Sequence, residues 1–205
     1  MKIGIVGGTF DPIHVGHLLL GSFAWEQLGL DRIWFMPAGM PYFKEGKKVS
    51  SRKDRLAMTR LAVKGIEAAD VCDIELKREG RTYTFETVEE LNRTCPEDEF
   101  FFIFGADCLD QIRTWRFPER ILSGCTLVAA ARGKTAERKI LEEKAETLMQ
   151  QFGGKILVMD FPVIELSSTM IRERAAAGLS LRFLVPSNVE KYIIRRHLYR
   201  KEEEA

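Results

Sequence analysis

Three observations predict an α/β fold, a Rossmann-like doubly wound parallel sheet with helices on both faces. Short runs of uninterrupted apolar residues alternate with longer amphipathic segments along the whole chain. The first run, Ile3 to Val6, leads through Gly7-Gly8 directly into a helix start, as a β-turn-α unit requires. No internal repeat or low-complexity linker interrupts the 205 residues, so a single domain over 1–205 is expected, with a helical C-terminal portion from about residue 166.

The elements follow in order. Ile3 to Val6 suits a strand buried on both faces, and Val15 to Leu28 carries apolar residues at helical spacing up to the stop at Gly29. Arg32 to Pro37 is the second strand, and 38–50 (AGMPYFKEGKKVS) reads as a loop. Ser51, with Asp54 three residues later, caps a helix whose apolar side is expected at Leu56, Leu61 and Val63. Val71 to Leu76 reads as a strand, Thr84 to Asn92 as a helix, and Glu99 to Phe104 as a strongly apolar strand ending at Gly105. Asp107 to Trp115 is helical or turn-like and Pro118 to Leu122 helical, before the strand Thr126 to Ala131. Ala136 to Phe152 is an amphipathic helix with Ile140, Leu141, Ala145, Leu148, Met149 and Phe152 on its apolar side. Ile156 to Met159 closes the strand series, and the tail carries helices over Ser168 to Ala177 and Ser187 to Tyr199. Ligands are expected beyond the carboxyl ends of the strands, where Gly7, Pro37, Gly105 and Arg132 fall.

Composition narrows the partners. With 45% hydrophobic and 30% charged residues and a formal net charge of +1, nothing drives the chain toward nucleic acid or a membrane, and neither is expected as a partner. Cys72, Cys95, Cys108 and Cys125 form no C-x-x-C pair and read as reduced, mostly buried thiols. The apolar stretch before Gly7 is too short for a signal-peptide core, so a cytoplasmic location is expected. Whether the chain forms a homo-oligomer is left open.

The chemistry concentrates in the opening residues. Gly4, Gly7 and Gly8 do not have the spacing of a dinucleotide fingerprint, and no Gly-Lys pair makes a P-loop. His14-x-Gly16-His17 instead sits at a helix mouth, where free amides and the helix dipole favour an anion and Gly16 lets it approach the backbone. Phosphate binding is one reading; a surface or core histidine pair fits the same letters. A metal site would need more ligands than His14, His17 and Asp11 supply.

GGTFDPIHVGH resembles the signature of nucleotidyltransferases with the (H/T)xGH element, and Ser167-Ser168-Thr169-Met170-Ile171-Arg172 is similar to their second signature. Tyr83-Thr84-Phe85-Glu86-Thr87, Gly105-Ala106-Asp107, Trp115 and Lys44 extend the likeness to the bacterial nicotinate-nucleotide adenylyltransferases over nearly the whole chain. The resemblance implies transfer of AMP from ATP to nicotinate mononucleotide, releasing pyrophosphate, with Mg²⁺ accompanying ATP and no dedicated protein site for the metal. It assigns His14 and His17 to catalysis on the ATP phosphates, with Gly8, Thr9, Phe10 and Gly16 around them. Ser168, Thr169 and Arg172 would hold the outer phosphates, and Gly105 with Asp107 the ribose. Tyr83, Thr84 and Trp115 would take the pyridine ring and its carboxylate, and Lys44 and Arg132 the mononucleotide phosphate. Two departures fall on the acceptor side: Pro41-Tyr42-Phe43-Lys44 replaces the usual Pro-Pro-His-Lys, and Trp115-Arg116 the frequent Trp-Tyr. The alternatives are an adenylyltransferase for nicotinamide mononucleotide or pantetheine phosphate, and a non-catalytic nucleotide sensor.

Overall fold

The computed structural model describes residues 1–39, 49–133 and 135–200. Six parallel strands form one sheet: β1 (Lys2–Gly8), β2 (Arg32–Pro37), β3 (Ala69–Val71), β4 (Glu99–Gly105), β5 (Thr126–Arg132) and β6 (Lys155–Phe161), in the order β3-β2-β1-β4-β5-β6. The order reverses between β1 and β4, where Ile5 faces Trp34 on one side and Phe102 on the other. Parallel strands need crossovers, and helices supply them on both faces.

Strand alternation divides the core in two. Phe100, Phe102 and Phe104 of β4 pack with Leu127 and Ala129 of β5 against α4 (Thr84–Thr94), a 3₁₀ segment (Ala106–Thr114), α5 (Pro118–Gly124) and α6 (Thr135–Phe152). Phe101 and Ile103 face the other way with Val128 and Ala130, under α1 (Val15–Leu28), α2 (Arg52–Val63), α7 (Ser168–Ala176) and α8 (Ser187–Arg195). No described helix is long and apolar enough to cross a membrane.

The predicted bounds of α1 and β2 coincide with those observed, and Ser51 caps α2 by accepting from the Asp54 amide. Four expectations are corrected. Val71 to Leu76 is not a strand: β3 ends at Val71 and the chain turns into the short helix α3 (Ile74–Lys77). Asp73 and Lys77, four residues apart, make a 2.7 Å ion pair there, and Glu75 turns inward. Helix α2 buries Arg55, Met58, Thr59, Ala62 and Val63, whereas Leu56 and Leu61 are only half-buried. Ile140 leaves the apolar side of α6 and is 53% exposed, since Leu141, Ala145 and Leu148 take the core-facing stripe. Helix α8 stops at Arg195, and left-handed residues His197 and Tyr199 fold the chain back until the Tyr199 hydroxyl donates to Asp11 Oδ1 at 2.7 Å. Of the four free cysteines only Cys125 is fully buried.

Arg55 explains the rotation of α2. Its guanidinium, 2% exposed, donates to the carbonyls of Thr9 (2.8 Å), Ala38 (2.7 Å), Gly39 (3.0 Å) and Ser50 (3.3 Å). Burial lowers its pKa, while Asp11 and Glu75 raise it again. Arg55→Met would strand these carbonyls and leave Asp11 and Glu75 without their nearest cation. The expected loss is about 3 kcal/mol in denaturant unfolding, with Arg55→Lys recovering only part because one ammonium cannot span the same fork. A change below about 0.5 kcal/mol would remove Arg55 from this role.

Candidate active site

Two clefts open at the carboxyl ends of β1 and β4, one on each face of the sheet. The first encloses about 320 Å³ between the N-termini of α1 and α7 and the ends of β4 and β5. Its walls carry His14, Gly16, His17, Gly105, Arg132, Ser168, Thr169 and Arg172, a set of cations, hydroxyls and imidazoles without a carboxylate. Two helix starts and two guanidiniums make it an anion site. Helix α7 is docked by Arg172, which donates to the Asp11 carbonyl at 2.7 Å, and by Ser168, whose hydroxyl donates to the Pro12 carbonyl at 2.9 Å.

The histidines stack, with ring centroids 3.7 Å apart and an interplanar angle of 26°. His14 is the N-cap of α1, and its backbone N–H donates to His17 Nδ1 at 3.2 Å. That bond makes Nδ1 an acceptor, so neutral His17 carries its proton on Nε2 and can donate from there. His14 Nδ1 is buried without a partner among the described residues. Desolvation depresses the His14 pKa to about 4, and desolvation followed by the His14 charge depresses that of His17. Gly16 lines the cleft and also makes room for a neighbour, since a β-carbon there would stand 3.1 Å from the His14 ring. At Gly105 a β-carbon would stand 2.9 Å from an Arg132 guanidinium nitrogen, so glycine is what admits Arg132 across the strand end.

The second cleft, about 550 Å³, is lined by Gly7, Gly8 and Ala38, by Tyr83 and Thr84 at the start of α4, and by Phe104, Trp115, Arg116 and Glu75. Both clefts fall in the size range of small-molecule sites. Trp115 meets Phe104 edge-on at 6.0 Å, leaving an aromatic wall on the cleft. Glu75, buried, accepts from the Gly39 amide (3.2 Å), the Thr82 hydroxyl (3.2 Å) and the Thr87 hydroxyl (3.0 Å).

The expected site residues thus divide. His14, Gly16, His17, Gly105, Ser168, Thr169 and Arg172 meet in the first cleft, and Tyr83, Thr84 and Trp115 in the second. Arg132, expected beside the mononucleotide phosphate, lines the first cleft, and Gly8 lines the second. Asp107 lies outside both walls, exposed, with Arg132 at 3.7 Å. Phe10 is buried edge-on to His17 at 4.9 Å, and the carbonyl of Thr9 is held by Arg55, so these two support the site from beneath. Lys44 and Phe43 lie outside the described residues. Sequence reasoning missed Arg55 and Glu75; a charged residue at a position that helical spacing turns toward the core was the only sign of each.

The depressed histidine pKa has a thermodynamic consequence. The folded His14 value lies below the ordinary 6.5, so the native state holds fewer protons than the unfolded chain between pH 6.5 and about 4. Stability is therefore full above 6.5 and falls as pH drops through that window. Unfolding across this range should show His14→Gln losing about 2 kcal/mol less than the unsubstituted protein between those limits. Parallel profiles would mean that His14 is not buried neutral.

The comparisons with known proteins agree with this geometry. The cytidylyltransferase-like family model matches residues 5–174. A protein of Exiguobacterium sibiricum named "Probable nicotinate-nucleotide adenylyltransferase" is 42% identical over 199 residues, 97% of this chain and 99% of its own. One of the same name from Halalkalibacterium halodurans is 38% identical over 203 residues, 98% of this chain and 93% of its own. Among solved structures, the Plasmodium falciparum nicotinic acid mononucleotide adenylyltransferase complexed with NaAD shares the fold, with a TM-score of 0.77 over 97% of each chain at 18% identity. Family pattern and full-length likeness together place this chain among the nicotinate-nucleotide adenylyltransferases of the cytidylyltransferase-like family.

Proposed function

We propose that the protein transfers AMP from ATP to nicotinate mononucleotide, forming nicotinate adenine dinucleotide and pyrophosphate in NAD biosynthesis. The observation that carries this reading is the pairing of an anion cleft with an aromatic cleft across one strand end, where Gly105 faces the first and Phe104 the second. ATP phosphates suit the first cleft and a pyridine mononucleotide the second, so the two reacting phosphates meet over β1 and β4. The acceptor phosphate oxygen bonds to the α-phosphorus as the bond to the pyrophosphate oxygen breaks. No covalent enzyme intermediate is needed, and rate comes from alignment and charge stabilisation.

The roles follow from position. His17 donates from Nε2 toward charge growing on the leaving pyrophosphate, and the stacked His14 ring lines the same cleft. Ser168, Thr169 and Arg172 hold the outer phosphates at the α7 start, and Arg132 adds a second guanidinium. Asp107, outside the cleft walls but beside Arg132, would accept from ribose hydroxyls. Trp115 gives the pyridine ring a face, and the start of α4 at Tyr83 and Thr84 offers amides to its carboxylate. Mg²⁺ is expected to enter with ATP as part of that substrate. The described residues hold no group of three or more metal-capable side chains, and imidazoles with guanidiniums do not suit a hard cation.

Pyrophosphate release with ATP, Mg²⁺ and, separately, nicotinate mononucleotide, nicotinamide mononucleotide and pantetheine phosphate tests the reading. Release should be fastest with nicotinate mononucleotide; preference for another acceptor would overturn the assignment of the second cleft. His17→Ala should lower kcat by about 10²- to 10³-fold with its circular dichroism unchanged. An unchanged rate in the folded variant would remove the histidine pair from the mechanism.

A further inference from the structure

The second cleft holds a charge that the chemistry described so far does not use. Nicotinate and nicotinamide mononucleotides share ring, ribose and phosphate and differ in a carboxylate against an amide. Two backbone donors can be met by both oxygens of a carboxylate but by only one atom of an amide, and a nearby cation adds discrimination by charge. Glu75 works against an anionic ligand, because its carboxylate lines the same cleft. Arg81 precedes Thr82, whose hydroxyl donates to Glu75, whereas Arg116 adjoins Trp115 on the aromatic wall.

Arg116 is held by rings. Its guanidinium carbon lies 5.0 Å from the Tyr83 ring centroid and 5.3 Å from that of Phe117. Neighbouring Arg120 also lies over Phe85 and Phe117 but is spent on a two-pronged bond to Glu89, at 2.6 and 2.7 Å. Among the described residues Arg116 has no carboxylate partner. The turn that sets it there is strained: Phe117 is left-handed at φ 54°, ψ 60°, and meets Phe85 edge-on at 5.0 Å. A non-glycine residue is disfavoured in that region, and such strain persists where the surroundings impose it. Here it brings the Phe117 ring to Phe85 and leaves the guanidinium over Tyr83, beside the amides at the start of α4.

We propose that Arg116 is a specificity-determining residue that selects the carboxylate of nicotinate mononucleotide over the amide of nicotinamide mononucleotide. The inference rests on the adenylyl-transfer reading above. A guanidinium already stacked on two rings loses little freedom on meeting a carboxylate, so its charge acts on the difference between the acceptors.

The test is steady-state pyrophosphate release by the full-length protein and by Arg116→Gln and Arg116→Lys, with ATP and each mononucleotide in turn. For Arg116→Gln the ratio of kcat/KM for nicotinate to that for nicotinamide mononucleotide should fall about tenfold, through loss on the nicotinate side. Arg116→Lys should restore part of it, and KM for ATP should not move. Equal losses with both acceptors would overturn the proposal and reassign Arg116 to the shared phosphate or to packing, and unchanged kcat/KM for both would reduce it to a solvated surface charge. If the unsubstituted protein releases no pyrophosphate with either acceptor, the adenylyl-transfer reading itself falls and this inference with it. That outcome is distinct, because it precedes any variant.

Discussion

Arg55 lies where the two clefts are joined beneath the surface. Its bond to the Thr9 carbonyl fixes the turn that leads to His14, and its bonds to Ala38 and Gly39 fix the strand end that walls the second cleft. Glu75 binds the Gly39 amide from the other side, so one residue of that loop is gripped through both its polar backbone groups. A buried charge costs several kcal/mol to desolvate, and this one is tolerated because carbonyls surround it and carboxylates lie near. The result is rigidity: neither loop can shift without exposing an unsatisfied carbonyl to the other. For a reaction that depends on placing two phosphates in line, such a tie converts folding energy into alignment. Asp11 extends the tie to the C-terminal segment, since its carboxylate accepts from Tyr199 and from the Ser50 amide while its carbonyl accepts from Arg172.

The histidine pair couples burial to protonation. Two stacked imidazoles in a desolvated niche stay neutral because each added proton would face burial and the neighbouring ring. A polyphosphate placed against them reverses that environment, since an adjacent anion favours the protonated form. Histidine suits this better than lysine, which would be charged with or without ligand.

Much of this was legible in sequence where a local rule governs. Helix α1 and strand β2 were bounded to the residue because Gly29 stops one and Pro37 ends the other. The doubly wound sheet followed from apolar runs such as EFFFIF, which only a strand covered on both faces can use. The failures have a common cause. Arg55 and Glu75 each occupy a face set by partners elsewhere in the chain, backbone carbonyls for Arg55 and Gly39, Thr82 and Thr87 for Glu75, and Ile140 yields the core-facing stripe of its helix to Leu141. The side of the strand ends taken by Arg132 was equally hidden, because spacing places a residue at the end of β5 and says nothing about which cleft its side chain enters.

That last point bears on how the fold does its work. At the carboxyl end of a parallel strand, successive residues face opposite sides of the sheet, so Phe104 and Gly105 deliver an aromatic wall to one cleft and an open space to the other within one peptide unit. Donor and acceptor can then be recognised by unrelated chemistry, cations and imidazoles on one face and rings with charges of both signs on the other. Glycine at 105 leaves the strand end to the Arg132 guanidinium, since a β-carbon there would stand 2.9 Å from its nitrogen. Specificity for the acceptor can therefore vary, as through Arg116, without disturbing the machinery that holds the donor, because the sheet itself stands between them.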